Sequence, residues 1–386
     1  MLILPIKIIF FTSLCLVFYI YVGYPLVVKL LSKKKSLTVK NAVELPTISV
    51  LIPAYNEEKH IEATIRNKIA LEYPRDKIEV IVVSDGSTDS TNEIVENLAA
   101  KSDIPIKIYR QPRKGKTAGL NLVVPKASGD ILIFSDANSM YSENALEKLV
   151  QNFSDPSVGY VTGKMIYVNP DGSLVGDGCS SYMKYENWLR DKETHLGSIV
   201  GVDGGIDAMR KSLYEVLGAD QLPDLVQPLK VVEKGYRVIY EPGAILKEKV
   251  LNDSGSEYQM RVRVALRALW ALRDMKSLLN PLRFGVFSLQ LLSHKILRYL
   301  AFIPIIAVLL ANVLLLGEGQ FYLTTLVLQL LFYLFAWKGM DYKGKKKTPI
   351  YFTVPYYFTL LNLACLTASL RYIKGEKMVV WKPRMG

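Results

Sequence analysis

The chain has 386 residues, half of them hydrophobic, and its 48 basic and 36 acidic side chains give a formal net charge of +12. Its length is sufficient for two domains. The basic excess does not indicate a nucleic-acid-binding protein, because much of it flanks apolar blocks and no zinc knuckle, recognition-helix pattern or RNA-binding aromatic signature occurs. Charge at a membrane surface explains it better, and we predict no nucleic-acid partner. Three scattered cysteines and three isolated histidines argue against a disulfide framework and a zinc site.

Apolar residues are concentrated in four blocks, each close to the ~20 residues that a helix needs to cross a bilayer. The blocks cover residues 8–28, 296–316, 321–337 and 350–370. The first block is followed by Lys29 and by three more lysines at residues 33–35 instead of a small-residue cleavage site, so we interpret it as a retained anchor and not as a signal peptide. By the positive-inside rule, these lysines place the following domain on the cytoplasmic side of the cytoplasmic membrane.

The blocks divide the chain into four predicted parts. These are a transmembrane anchor at 1–32, a soluble domain at 45–275, an interfacial amphipathic helix at 276–295, and an all-α transmembrane region with a basic tail at 296–386. The last region contains two or three crossings, because its final block holds Pro355 and Asn362 and has basic residues at both ends. That block therefore crosses the membrane, re-enters it or lies at its surface.

In the soluble domain, short apolar runs alternate with helical segments. Strands are predicted at residues 47–53, 78–83, 106–109 and 131–134. Pro53 stops the first strand, and Asn56 is placed to cap the helix that follows. Alternating strands and helices predict an α/β domain with a mainly parallel sheet and right-handed crossovers. Ligands bind such sheets at the carboxyl ends of the strands.

Polar side chains follow successive strand ends. Asp85 offers a carboxylate for a base or a ribose, and Lys114 and Lys116 offer positive charge for phosphate. Asp136 and Asn138 place a carboxylate and an amide oxygen two residues apart, which suits Mg²⁺ or Mn²⁺ bridged to a diphosphate. Taken alone, the Asp136 and Asn138 pair is equally typical of a turn, whereas Asp85 is more typical of a strand-to-helix turn and the two lysines of a solvated loop. Their occurrence in order favours a nucleotide site, and the absence of Gly-x-Gly-x-x-Gly and phosphate-loop patterns argues against dehydrogenases and ATPases.

These motifs together resemble the inverting family 2 glycosyltransferases, in the superfamily of the hyaluronan, chitin and poly-N-acetylglucosamine synthases. The resemblance covers residues 45–275 and rests on the runs 53–57, 83–89, 115–121 and 135–138. It implies a Rossmann-like GT-A fold, a nucleotide-diphosphate sugar as donor and Mg²⁺ or Mn²⁺ as cofactor. It assigns the metal to Asp136 and Asn138, as a variant of the family's Asp-x-Asp motif. It assigns the nucleotide to Pro53, Ala54, Tyr55, Glu57, Asp85, Lys116, Ser135 and Asp136.

Inverting sugar transfer needs a general base that takes the proton of the attacking hydroxyl. The family usually has two consecutive acids well downstream of the metal motif, and this chain has Pro223 and Asp224 there. The resemblance assigns the base to Asp224, for which a helix cap is the alternative. Gly204 and Gly205 resemble the turn on the acceptor side, where small residues let a sugar lie against the backbone, and a glycine-rich hairpin is an equal alternative.

A helix is predicted over residues 257–270. Processive members of the family carry Gln-x-x-Arg-Trp there, but around Arg261 the glutamine and the tryptophan are replaced. Arg261 and Arg263 are candidates for the diphosphate and Trp270 for the acceptor. A basic face against lipid headgroups is the alternative. The altered motif argues against processive polymerisation.

We therefore predict a membrane-embedded inverting glycosyltransferase that uses a UDP-sugar to build an exopolysaccharide or to extend a lipid-linked glycan. Residues 381–384 resemble the Trp-x-x-Arg gate of hyaluronan-type synthases. The nearest alternative is a non-processive enzyme that adds one sugar to a polyprenyl-diphosphate acceptor. A sugar nucleotidyltransferase would need a glycine-rich loop with an arginine after the first strand. A non-catalytic membrane protein would be favoured by charged residues inside the apolar blocks.

Overall fold

The computed structural model describes residues 3–32, 44–168, 179–249, 254–342 and 349–378. The chain forms two compact units. The helical unit comprises Met1–Ser32, Gly176–Tyr182 and Leu251–Glu376, and the sheet unit comprises Lys33–Val175, Met183–Val250 and Lys377–Gly386. The predicted gate at residues 381–384 and the lysines at 33–35 lie outside the described residues.

The described residues of the sheet unit form a sheet of eight strands. They are β1 (Ile48–Ala54), β2 (Ile78–Asp85), β3 (Ile106–Gln111), β4 (Ile131–Ser135), β5 (Met140–Tyr141), β6 (Val158–Val168), β7 (Ile206–Arg210) and β8 (Arg237–Lys249). Their order is β3-β2-β1-β4-β7-β6-β8-β5. The first four strands are parallel, as predicted, whereas β7 is antiparallel to both of its neighbours. The carboxyl ends of β1, β2 and β4 therefore lie at one edge of the sheet.

Burial explains why the apolar runs become central strands. Every residue of β2 and of β4 is buried, and β1 is buried except at Pro53. A strand with both faces covered needs such a continuous apolar run, and each buried Val, Leu or Ile contributes ~1.5–3 kcal/mol. β3 lies at the edge of the sheet and is only partly buried. The central strands thus form a rigid base for the loops that follow them.

The helices fall in both units. In chain order they are α1 (Ile3–Phe18), α2 (Tyr24–Leu31), α3 (Ile61–Ile69), α4 (Thr91–Ala99), α5 (Lys116–Val123), α6 (Ala145–Val150), α7 (Cys179–Leu196), α8 (Pro223–Glu233), α9 (Ser254–Asp274), α10 (Pro281–Phe284), α11 (Val286–Gln290), α12 (Leu297–Tyr299), α13 (Phe302–Leu314), α14 (Gln320–Gly339) and α15 (Ile350–Ile373). The α9 helix belongs to the helical unit, although the sequence placed it in the soluble domain.

Two details at the end of β1 differ from the prediction. The strand continues through Pro53 to Ala54. Proline is tolerated there because β4 pairs with β1 only as far as Leu51, so residue 53 does not have to donate an N–H to β4. The prediction that Asn56 caps the next helix is wrong, since α3 begins five residues later. Asn56 instead adopts a left-handed φ of 53°, which asparagine tolerates, and its side chain accepts a hydrogen bond from the Thr88 N–H at 2.8 Å.

Among the described residues, the helical unit contains three helices that are long and apolar enough to cross a membrane. They cover Ile3–Leu31, Gln320–Gly339 and Ile350–Ile373. The segments Val286–Tyr299 and Phe302–Leu314 form a fourth candidate with a bend of 56°. Residues 276–295, predicted as one interfacial helix, are divided into short helical segments, and one break is at Gly285 with φ 55°. Apolar helices compatible with a membrane therefore lie where the sequence predicted them.

Candidate active site

The loops after β1 and β2 are bonded into one surface. The Glu57 N–H donates to the Thr91 hydroxyl at 2.8 Å, and the Glu58 N–H donates to the Asp89 carboxylate at 3.1 Å. In return, the Ser90 N–H donates to the Glu58 carboxylate at 3.1 Å. These reciprocal bonds hold the residues that the resemblance assigns to the nucleotide in a defined arrangement.

Tyr55 and Glu57 lie on this surface. The Arg113 guanidinium lies over the Tyr55 ring, 3.2 Å from its centroid, which makes a flat cationic platform of the kind that stacks well on a planar base. Burial raises the pKa of Glu57, and the neighbouring Asp136 raises it further, although the hydrogen bond from His60 works in the opposite direction. Glu57 is thus a carboxyl group whose ionisation is disfavoured by its surroundings.

Asp85 is buried beneath the loop that follows β3. Its carboxylate accepts hydrogen bonds from the side chains of Gln111 and Arg113, each at 2.8 Å, and from the N–H groups of Lys114 and Gly115 at 2.7 and 2.9 Å. Only 4% of Asp85 is exposed. The residue therefore shapes the loop that begins α5, and its assignment to the nucleotide stays a prediction.

Lys116 joins two carboxylates. Its ammonium lies 3.0 Å from Asp136 Oδ1 and 3.2 Å from Asp224 Oδ1, and it donates to the Gly204 carbonyl at 3.4 Å. Burial opposes the charge, but the attraction of Asp136 and Asp224 outweighs it, and the pKa of Lys116 is raised above its ordinary value. The lysine is therefore a permanent cation between the predicted metal ligand and the predicted base.

Gly204 and Gly205 fill the space between the same two carboxylates. Gly204 has φ +81°, and a Cβ there would lie 2.6 Å from Asp224 Cγ. A Cβ on Gly205 would lie 3.4 Å from Asp136 Oδ2 and 2.9 Å from Leu246. At Gly204 both the backbone conformation and the available space require glycine, and at Gly205 a larger residue would need Leu246 to move. The structure brings these predicted acceptor residues to Asp136, Asp224 and Lys116.

Asp207 accepts a hydrogen bond from the backbone of the Gly204 turn, and the sequence analysis did not identify this residue. Its carboxyl group is fully buried and accepts hydrogen bonds from the hydroxyls of Tyr160 and Thr162 and, at 3.0 Å, from the Gly204 N–H. Burial and the nearby Asp224 raise the pKa of Asp207 to about 7, against the opposing effect of the hydroxyls. The signal in the sequence was an acid inside the apolar run of β7, where an unpaired charge is costly.

The loop that carries Asp136 and Asn138 is held by α3. Three side chains of this helix donate to carbonyls of the loop: Thr64 to Ala137, Asn67 to Tyr141, and Lys68 to Ser139. Lys68 is fully buried and lies over the Tyr141 ring. These residues were also missed, although polar side chains at positions i, i+3 and i+4 of a packed helix mark one face.

The donor atoms of Asp136 and Asn138 fit a hard cation only in part. One carboxylate and one amide oxygen are ligands that Mg²⁺ and Mn²⁺ accept, and 47% of the Asp136 side chain is exposed to the cleft. Within the described ranges, no three His, Cys, Asp or Glu side chains converge on a common metal position. The remaining ligands would have to come from water and from a bound diphosphate, as Mg²⁺ sites on phosphates usually arrange.

The predicted residues Arg261, Arg263 and Trp270 belong to the helical unit. The Arg261 guanidinium forms an ion pair with Glu257 at 3.0 Å. The Trp270 ring packs against Tyr372 with centroids 4.6 Å apart, and its N–H donates to the Glu376 carbonyl at 2.9 Å. Their assignment to the diphosphate and the acceptor stays a prediction.

Residues 49–217 match the family model described as glycosyl transferase family 2. The chain carries a family 2 glycosyltransferase domain. The family and the enzyme class that the motifs predicted are therefore confirmed for residues 49–217.

The glycosyltransferase domain also has curated relatives. The chain is similar to the poly-β-1,6-N-acetyl-D-glucosamine synthase of Staphylococcus aureus (strain COL), with 30% identity over 262 residues that cover 65% of this chain and 61% of that protein. It is 32% identical over 222 residues to the probable glycosyltransferase YdaM of Bacillus subtilis (strain 168), covering 54% of this chain and 52% of that protein. The chain thus spans about three fifths or less of these relatives.

One solved structure shares the fold across almost the whole chain. It is the mannosyltransferase PcManGT from Pyrobaculum calidifontis in complex with GDP-Man and Mn²⁺, with a TM-score of 0.77 over 96% of this chain and 99% of that chain. The identity is 21%, so the likeness shows the fold alone. The predicted GT-A fold of the glycosyltransferase domain is confirmed.

Proposed function

We propose that this protein is a membrane-embedded inverting glycosyltransferase that transfers a sugar from a UDP-sugar to a polysaccharide or lipid-linked acceptor. The observation that carries the proposal is the convergence of Asp136, Lys116, Asp224 and Gly204 in one cleft. The similarity to a synthase of an N-acetylglucosamine polymer supports a nucleotide-sugar donor. The GDP-Man and Mn²⁺ bound to PcManGT support a nucleotide diphosphate with a divalent ion.

Asp224 has the surroundings that a general base needs. It lies in the first turn of α8, it is 28% exposed, and the missing side chain of Gly204 leaves room beside its carboxylate. A hydroxyl of the acceptor placed there gives its proton to Asp224 as its oxygen attacks the anomeric carbon. The Lys116 ammonium favours the ionised form of Asp224, so that the base is ready before the acceptor arrives.

Asp136 and Asn138 would hold the divalent ion, which neutralises the charge that develops on the leaving diphosphate. The bonds from Thr64 and Lys68 of α3 keep their loop in place. The loop of Tyr55 and Glu57 would receive the nucleoside. Because attack and departure take place on opposite faces of the sugar, the base and the diphosphate group must lie on opposite sides of the transferred residue, which is the requirement for inversion.

A non-processive reaction is favoured by one observation. In processive relatives a tryptophan beside the motif arginine stacks on the acceptor, whereas here the Trp270 ring already packs against Tyr372 and its N–H is bonded to Glu376. We therefore favour the addition of a single sugar, or of few sugars, to a lipid-linked acceptor over the synthesis of a long polymer.

The contacts inside the helical unit support a specific arrangement in the membrane. Lys7 and Glu318 form an ion pair at 2.7 Å, and the Tyr19 hydroxyl contacts the Ser293 hydroxyl at 2.8 Å. The segment 293–318 therefore runs antiparallel to the first helix. From residue 7 to residue 24 a helix rises about 26 Å, close to the thickness of the hydrocarbon layer. Both segments cross the membrane in this proposal, and α14 crosses back.

The fourth apolar helix, α15, lies at the membrane surface in this arrangement. The Tyr258 hydroxyl of α9 contacts Thr367 at 2.8 Å, and Trp270 of α9 contacts Tyr372, so the second half of α15 follows α9. Four arginines exclude α9 from the hydrocarbon layer: Arg261, Arg263, Arg267 and Arg273. Three crossings then leave Lys374 on the same side of the membrane as the end of α2.

Cysteine labelling tests this topology. With the native cysteines changed to serine, a cysteine at Gly317 should react with an impermeant maleimide added outside intact cells. A cysteine at Lys374 should react only after the cells are opened. Labelling of the Lys374→Cys variant in intact cells would contradict the arrangement.

A donor panel tests the catalytic proposal. Protein purified in membranes is incubated with UDP- and GDP-sugars, Mn²⁺ and a polyprenyl-diphosphate glycan, and nucleotide release and product length are measured. We expect release with a UDP-sugar and a short product. No release with any donor, or release unchanged in Asp224→Asn, would overturn the catalytic assignment, and a long product would restore processive synthesis.

A further inference from the structure

Lys116 contacts the same carboxylate that the resemblance assigns to the metal. Its ammonium lies 3.0 Å from Asp136 Oδ1, and only 16% of the lysine side chain is exposed. A divalent ion bound to Asp136 would therefore lie beside a buried positive charge. Two cations on one carboxylate repel each other strongly in a cleft that is shielded from water.

The ammonium has other partners on the side away from Asp136. Both oxygens of Asp224 lie 3.2–3.3 Å away, and the Gly204 carbonyl accepts from it at 3.4 Å. Loss of the contact with Asp136 would therefore leave Lys116 paired with Asp224. The three side chains form a unit of two negative charges and one positive charge in which the lysine can shift between its carboxylates.

We propose that Lys116 acts as an internal counter-cation that competes with the divalent metal for Asp136, so that the metal binds together with the diphosphate of the donor and not ahead of it. This inference rests on the proposed function. The donor set supports it, because a single carboxylate and an amide give a weak site that the ammonium weakens further. A diphosphate supplies the missing negative charge and ligands, and it allows Asp136 to exchange the lysine for the metal.

The test uses Mn²⁺ alone, without any nucleotide, on the full-length protein in lipid nanodiscs. Free Mn²⁺ is measured by electron paramagnetic resonance as protein is added. We expect weak binding to the wild-type protein and at least ~5-fold tighter binding to Lys116→Gln, in line with the removal of one charge from a partly shielded site. UDP should tighten Mn²⁺ binding strongly in the wild-type protein and only slightly in Lys116→Gln.

Lys114 provides a matched control. It is exposed, it lies two residues from Lys116, and Lys114→Gln changes the net charge by the same amount. We expect its Mn²⁺ affinity to equal that of the wild-type protein. Lys116→Arg retains the positive charge and should keep binding weak. Adding Asp136→Asn to Lys116→Gln should remove the gain, because the carboxylate that gains the metal is then absent.

Thermal unfolding identifies any variant that has lost its fold, and Lys116→Gln combined with Asp224→Asn retains the charge balance if the single variant is unstable. Unchanged Mn²⁺ affinity in a folded Lys116→Gln protein, or equal tightening in Lys114→Gln, would overturn the competition. Neither result depends on turnover. An enzyme that is inactive with every donor but shows the expected Mn²⁺ affinities would refute the proposed function alone.

Discussion

Carboxylates lie at both ends of the parallel strands, which we call the amino edge and the carboxyl edge of the sheet, but their surroundings differ. At the amino edge, Glu79 accepts hydrogen bonds from Ser49, from the Ser128 N–H and from Lys107, and it is 4% exposed. Burial opposes its charge, but these donors together lower the pKa of Glu79 to about 2. Its carboxylate is fully satisfied by the protein, so it stabilises the fold and offers nothing to a ligand.

At the carboxyl edge, two carboxylates are partly open to solvent. Asp136 and Asp224 both contact the Lys116 ammonium, and 47% and 28% of their side chains are exposed. Exposed carboxylate oxygens can be reached by a metal ion or by the hydroxyl of an acceptor, whereas the buried Glu79 carboxylate cannot. The comparison teaches that the accessibility of a carboxylate, and not its mere presence, distinguishes the edge that we propose as the active site.

The presence of a cavity does not identify the edge that we propose as the active site. A cavity of about 720 Å³ opens at the amino edge, beside Gly129, Asp130, Phe153 and Arg210. Arg210 donates there to the carbonyls of Phe153, Asp155 and Val158, which are structural bonds that close a turn. The arginine in the wall of this cavity is thus already bonded to the protein backbone.

The largest expected effect is on catalysis at the carboxyl edge. Asp224→Asn removes the general base and should lower turnover by ~10²–10⁴-fold, the usual contribution of such a group. The melting temperature should change little, since Asp224 is part-exposed. Initial rates of nucleotide release at saturating donor and acceptor check this, and a variant with normal turnover would show that another residue takes the proton.

Substitutions of the two predicted metal ligands, Asp136 and Asn138, should have different effects on turnover. Asp136→Ala should abolish turnover, because it removes the only carboxylate of the pair. Asn138→Asp should be tolerated, since it recreates two carboxylates that suit the same ion. Turnover as a function of Mn²⁺ concentration checks both variants, and loss of activity in Asn138→Asp would show that the motif has been misread.

Substitution of one glycine at each edge should change a different measured quantity, stability at the amino edge and turnover at the carboxyl edge. A Cβ on Gly129 would lie 2.5 Å from the backbone of Ile48, so Gly129→Ala should cost ~1–3 kcal/mol or more of stability while KM stays unchanged. Gly204→Ala places a methyl group 2.6 Å from Asp224 at a φ of +81°, so its main effect should be on turnover. Chemical denaturation and steady-state kinetics on both variants check the contrast. Equal loss of turnover in the two proteins would contradict it.

The last expected effects are confined to a limited pH range and concern stability, with no effect on turnover. The pKa of Glu79 is depressed to about 2, so its contribution is complete above about pH 4.5 and is lost as the pH falls toward 2. It amounts to about 3 kcal/mol, and Glu79→Gln should remove it.

Asp207 should change the stability in the opposite direction as the pH rises. Its pKa is raised to about 7, so the folded protein holds a proton that the unfolded chain releases near pH 4, and stability falls as the pH rises from about 4 to about 7. Asp207→Asn should flatten this decline. Denaturation midpoints from pH 2 to pH 5 check Glu79, and those from pH 4 to pH 8 check Asp207. A wild-type stability that rises between pH 4 and pH 8 would contradict the assignment for Asp207.

The sequence was sufficient for the fold because the strands depend on local patterns. Continuous apolar runs predicted the four parallel strands to within a few residues, and the position of the polar side chains after them made these residues candidates for ligand binding. The errors were at the ends of β1 and α3. There, Asn56 bonds to a loop about 30 residues away, which a local cap pattern cannot reveal.

Only the tertiary structure decided which of these groups meet. Lys116 and Asp224 are 108 positions apart and contact each other because β1, β2 and β4 end at one edge while α8 begins beside them. The same holds for Asp207 under Gly204 and for Lys68 under the metal loop, both of which look like misplaced polar residues in a one-dimensional pattern. The sequence by itself determined which residues are candidates for the chemistry, since that choice depends on residue type and strand position. The structure decided how they compensate each other's charge, since that depends on distances that no spacing along the chain records.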